Sequence, residues 1–145
     1  MPAMVVVRID GLEQLRAKLR SERADPPMQR FLDRGAIFIQ GQARTLAPVD
    51  TNRLRGSIAV ETTGRLERSI GTNVTYAPYV ELGSRPHFVP AKYIGRWAEK
   101  HGFGNTGIFV SGKAQPYLKP AAEAGEGFIR QLVPILAAEI EAAYQ

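Results

Sequence analysis

Asp25–Pro48 reads DPPMQRFLDRGAIFIQGQARTLAP. From Met28 onward its apolar residues Phe31, Leu32, Ile39, Ala43 and Leu46 recur near a 3.6-residue period, which predicts one long amphipathic helix ending at about Ala47. Asp25 is placed to cap its start, and Pro26 and Pro27 fit a first turn whose N–H groups have no intrahelical partner. Pro48 stops it. An apolar stripe of this length must be buried against other elements, so this helix is expected to carry the core.

On its N-terminal side, Val5, Val6, Val7 and Ile9 form a short β-branched run ending at Asp10. DGLE then offers an aspartate cap with glutamate three residues on, which predicts a helix from Gly11 with Leu12, Leu15 and Leu19 on one face. On the C-terminal side, residues 47–58 (APVDTNRLRGSI) read as a loop leading into a strand. Residues 57–62 and 66–74 suit an antiparallel hairpin turning at Thr63, Gly64 and Arg65, with a bulge at Gly71. YAPYVELG, residues 76–83, reads as a strand end and about one helical turn.

Residues 91–101 predict a short helix with Tyr93, Ile94 and Trp97 on one side, residues 108–112 a strand, and residues 114–121 extended chain. From about Ala121 the residues Phe128, Ile129, Leu132, Ile135, Leu136 and Ile140 return to helical spacing, with Pro134 placed to kink or split the helix. The resulting fold class is α+β: a long amphipathic helix on a small antiparallel sheet, flanked by N-terminal and C-terminal helices. A chain of 145 residues suits a single domain, 1–145. Residues 84–114, rich in glycine and interrupted by two prolines, are expected to act as a flexible interaction segment that orders on contact.

Composition narrows the chemistry. The chain has no cysteine, which excludes disulfides, thiolate nucleophiles and cysteine-bound metal. It has neither an apolar run long enough for a membrane span nor the lead-in of a signal peptide, so it is expected to be made in the cytoplasm. Net charge is +5, fourteen of the nineteen cations are arginine, and residues 51–100 hold eight cations against four anions. Such a region suits either phosphate or carboxylates on another protein chain.

GFGNTG, with Gly102, Gly104 and Gly107, has the letters of a dinucleotide fingerprint but follows a helix and leads into a strand, the reverse of the order a fingerprint needs. His87 and His101 have no acid placed to complete a metal site, and no serine sits in a G-x-S-x-G turn. Glu81 is positioned for an ordinary ion pair with Arg85. No catalytic residue, cofactor or metal is assigned, and the chain is not expected to be an enzyme.

Three stretches are more specific in combination: APVDTNRLRGSI at 47–58, IGTNVTYAPYVELGSRPHF at 70–88 and SGKAQPYLKPAAEA at 111–124. In this order, between a long helix and a C-terminal helix, they resemble the gp-ten-like minor tail component family of long-tailed bacteriophages and prophages, also described as tail-completion or head-tail joining proteins. Asn52 stands where that family has glycine, and Tyr117 where it has phenylalanine. Asn is the side chain that best tolerates left-handed backbone angles after glycine.

The resemblance implies a structural virion protein at the head-tail junction, made in the bacterial host and forming a homo-oligomeric ring, a hexamer by preference, around the DNA channel. Its implied partners are neck or head-closure proteins and the tail tube or terminator, with DNA passing through the lumen unread and no membrane. Beside it, the residues offer their own interface reading: Asp50, Arg53 and Arg55 on one loop, the aromatic and polar side chains Tyr76, Tyr79, Glu81, Arg85 and His87 on the next motif, and Tyr117 on the third. A basic nucleic-acid-binding module using the same arginines is the alternative.

Overall fold

A computed structural model describes residues 3–19, 22–49, 52–100, 102, 107–110 and 112–145. The fold is α+β. Strand β1 (Ala3–Arg8) leads to helix α1 (Leu12–Leu19), a single 3-10 turn (Glu22–Ala24) and the long helix α2 (Asp25–Leu46). A short helix α3 (Arg53–Ser57) precedes β2 (Ala59–Gly64) and β3 (Glu67–Thr72), then come α4 (Ala77–Leu82), β4 (His87–Val89), α5 (Ala91–Lys100), β5 (Ile108–Val110) and α6 (Leu118–Ala143).

β3 is the middle strand of an antiparallel sheet ordered β1-β3-β2, and β4 pairs separately with β5. Alternation along β3 sends Arg68, Ile70 and Thr72 toward α2, level with Val5, Val7 and Val60 of the neighbouring strands. Its other face sets small Ser69 and Gly71 between the half-exposed Met4 and Val6 and exposed Ala59 and Glu61. Arg68 is 4% exposed and holds two layers together. Its Nε donates to Asp33 of α2 at 2.6 Å, while Nη1 donates to the carbonyls of Gly64 and Glu67 at the β2–β3 turn.

α2 lies between the sheet and α6, and the two long helices meet through glycines. A Cβ on Gly35 would come within 2.8 Å of Ile129, and one on Gly125 within 2.6 Å of Ile39, so each helix lodges an isoleucine against the other's bare backbone. Phe38 and Phe128 stack with centroids 4.2 Å apart. Arg30 and Arg34 of α2 both reach Glu139 of α6 at 3.4 Å. Met28, Phe31, Leu32, Ile39 and Ala43 are buried as the helical spacing implied, joined by Ala36, whereas Leu46 is exposed.

Several local expectations change. α1 begins at Leu12 because Gly11, at φ +95°, is turned out of the helix. Asp25 is the first residue of α2 and not its cap, since the preceding 3-10 turn already gives Ala24 helical angles. Its carboxylate accepts instead from Arg16 Nε at 2.6 Å. Gly71 carries no bulge; it pairs in register with Met4 and Ala59, and the irregularity falls between Thr62 and Gly64, beside the carbonyls that Arg68 gathers. Residues 53–57, expected in a loop, form α3. α6 starts at Leu118 and runs unbroken through exposed Pro134, with buried Leu132 and Leu136 anchoring it on either side.

Candidate functional site

The three motif stretches are brought together by backbone geometry. Asn52 has φ +60°, a left-handed angle that starts α3, and the Gly56 N–H donates to the Asn52 carbonyl at 2.8 Å. Leu54 is driven into the core at 4% exposure. The next carbonyl in the joint, Ile58, accepts from Gln40 Nε2 at 2.9 Å and Arg44 Nη2 at 2.8 Å, both from α2. This fixes the α3–β2 corner on the long helix and leaves Arg53 outside. Its guanidinium carbon lies 6.0 Å from the Tyr76 ring centroid, at the outer range of a cation–π contact.

α4 is held by the same logic. Ala77 is fully buried, so Tyr76, Tyr79 and Leu82 are turned outward, at 38%, 63% and 80% exposure. Glu81 has a task that its sequence neighbours do not announce. Its Oε2 accepts from the backbone N–H of Tyr117 at 2.8 Å and Leu118 at 2.9 Å, and its Oε1 from Lys119 at 2.9 Å. These are donors at the N-terminus of α6, which has no cap side chain of its own, and a carboxylate there also meets the positive end of the helix dipole. Gly83, at φ +79°, completes the junction. A side chain there would meet the Gly112 carbonyl at 2.7 Å, the same carbonyl that accepts from the Ser84 N–H.

Tyr117 follows from this closure. It is fully buried, and its hydroxyl has no hydrogen-bond partner. Burial first, then the Glu81 carboxylate and Tyr76, pushes its phenol up to about 12. A side chain so placed belongs to the core and presents nothing to a partner.

The remaining sequence candidates divide in the same way. Arg53, Tyr76 and Tyr79 form an exposed set on α3 and α4. Arg55 is half-buried, with its Nε unpartnered. Arg85 is exposed just beyond α4, and His87 supplies backbone to β4. Asp50 and His101 lie outside the described residues, as does most of GFGNTG; Gly107 leads directly into β5, so the letters do not open a helix. Among the described residues no cluster of three potential metal ligands occurs, and no helix is long and apolar enough to cross a membrane.

Sequence reading missed Gln40 and Arg44, whose i, i+4 spacing puts both on the face of α2 that receives Ile58. It also missed Arg68, since an arginine buried in a strand is indistinguishable from a surface one until its acid partner is known. Many of the arginines have partners within the chain. At least seven of the fourteen arginines face carboxylates of this chain: Arg8 with Glu67, Arg16 and Arg65 with Asp25, Arg30 and Arg34 with Glu139, Arg68 with Asp33, Arg130 with Glu126.

Residues 13–83, from α1 to the end of α4 and just under half of the chain, match the HK97-gp10-like family model, described as "Bacteriophage HK97-gp10, putative tail-component". No curated protein and no solved structure matches the chain. The matched span contains the first motif stretch whole and the second as far as Gly83, and Glu81 ties it to the third.

Proposed function

We propose, with a gp10-like phage tail family as the premise, that this chain is a structural virion protein at the head-tail junction. In this reading it forms an oligomeric ring around the DNA channel and meets neck or head-closure proteins on one side and tail tube or terminator proteins on the other. The family match supports a tail component. The observation that carries the finer reading is the α3–α4 surface. Arg53, Tyr76, Tyr79 and Leu82 are exposed on short helices that Leu54, Ala77 and the Ile58 carbonyl pin to the core. Exposed aromatics and arginine on a rigid support are the composition of an interface centre.

The nucleic-acid alternative would use Arg53 and Arg55, which are not among the seven arginines paired with carboxylates of this chain, and it predicts DNA affinity that falls steeply with salt. In the ring reading DNA passes through the lumen without being read. No reaction is assigned to the protein, in keeping with a structural tail family.

The test is assembly. Arg53→Glu combined with Tyr79→Ala leaves buried groups untouched, so it should preserve the circular dichroism spectrum while reducing ring formation, measured by light scattering and negative-stain imaging. Unchanged rings and unchanged joining of heads to tails in the double variant would remove this surface from the interface.

A further inference from the structure

The excess charge of the chain is concentrated in one segment. Residues 84–114 hold the five cations Arg85, Lys92, Arg96, Lys100 and Lys113 against the single anion Glu99, so they carry +4 of the net +5. The rest of the chain sets fourteen cations against thirteen anions and is nearly neutral. The kind of cation differs as well. Three of the five lysines lie in this segment, whereas arginines elsewhere reach carboxylates of this chain, as Arg68 does Asp33 and Arg16 does Asp25. Lysine is a point charge on a flexible stem, suited to a run of phosphates more than to a shaped fork-to-carboxylate pair.

α5 puts these charges in order. At the root of the segment the Ser84 N–H donates to the Gly112 carbonyl at 2.8 Å, and β4 pairs with β5 from His87–Val110 to Val89–Ile108, so the helix is carried between two tied strands. Lys92, Arg96 and Lys100 recur every four residues, which sets them on one line along the helix, and all three are exposed. Lys92 lies over the Tyr93 ring, 4.7 Å from its centroid, and among the described residues neither Lys92 nor Arg96 pairs with a carboxylate. Of the other described side chains of α5, Tyr93 and Glu99 are exposed and Ile94 is half-buried. The helix therefore presents charge outward, and not the broad apolar face with which a helix settles into a bilayer surface.

We infer that α5 faces the lumen of the ring and holds the phosphate backbone of the duplex DNA passing through it, without reading the bases. The inference rests on the ring reading above and names the element that meets the DNA. Three cations spread over about 12 Å of helix axis face a polymer with about one phosphate per 1.7 Å of its own. Phosphates are then in reach at every register, which is what a duplex sliding through a channel requires. Contacts to the backbone alone carry no sequence information.

The test is the salt dependence of binding to two short duplexes of unrelated sequence, followed by fluorescence anisotropy with the full chain. Both duplexes are expected to bind alike, with affinity falling steeply as salt rises. Lys92→Gln combined with Arg96→Gln should reduce the slope of log K against log salt by about 2 per subunit, because each cation lost releases about one counterion fewer. Rings of the double variant should look unchanged in negative stain, and Arg53→Gln should leave the slope where it was. A slope untouched by the double variant, an equal loss per charge from Arg53→Gln, or a preference for one duplex would overturn the proposal. Vesicles of phosphatidylserine and phosphatidylcholine bound as tightly as DNA at the same salt would overturn it in favour of a membrane surface, and loss of rings in the double variant would overturn it in favour of a contact between copies. Rings that bind neither duplex would overturn the phosphate contact and leave the ring reading standing. A wild-type chain that stays monomeric at all concentrations would sink the ring reading and the lumen placement with it.

Discussion

Two residues beside α6 show opposite accounts of a buried polar group. The Tyr117 hydroxyl is enclosed without a partner, so its removal should help. Tyr117→Phe is expected to raise stability by about 1 kcal/mol, read from urea unfolding at pH 7, with the ring volume kept. The same burial gives a pH signature. The folded chain keeps the phenol proton above pH 10, where the unfolded chain releases it. Stability is therefore whole below pH 10 and is lost as pH rises toward about 12. Tyr117→Phe should flatten that loss, and an unchanged alkaline profile would contradict the assignment. Glu81 is the reverse case, a carboxylate satisfied by three backbone donors. Glu81→Ala strands those donors and should cost about 1–3 kcal/mol, with the fraying confined to the first turn of α6 in hydrogen exchange.

Among the elements, the α2–α6 pair depends on two missing side chains. Gly125→Ala puts a methyl group against Ile39 and should destabilise by about 1–3 kcal/mol. Gly127→Ala, two residues on, meets nothing within 4 Å and should be neutral or gain about 0.5–1 kcal/mol from helix propensity. Equal effects at the two positions would refute the close approach. The elements differ in how plainly sequence announced them. α2 was legible because twenty-two residues of one period leave few alternatives, and β2 and β3 because their turn lies between two β-prone runs. α3 was not, because its five residues are held by Asn52 at φ +60° and by α2 side chains gripping Ile58, facts of tertiary contact. The left-handed angle at Asn52 was legible all the same, from a residue that tolerates it where glycine is the rule. Tyr117 was misjudged as an interface side chain because an aromatic flanked by proline and leucine reads alike on a surface and in a core. The place of Glu81 at the start of α6 was not legible, because its backbone partners lie more than thirty residues away.

At the scale of the whole molecule, the buried interior and the segment 84–114 behave as different materials. α2, α6 and the three-stranded sheet share the core, while the described side chains of β4 and α5 stay out of it. Backbone amides of residues 84–114 should therefore exchange rapidly in the isolated subunit and become protected on assembly, and equal protection in both states would count against a role in contacts between copies. The order of the sheet has a further consequence during synthesis. β1 leaves the ribosome with its valines exposed, but the strand it must pair with, β3, is translated roughly sixty residues later. At about 5–20 residues per second the nascent segment waits on the order of 3–12 seconds without a partner. A sticky leading strand held open that long is exposed to misassociation, and overexpression at lower temperature, which slows misassociation, should favour soluble product.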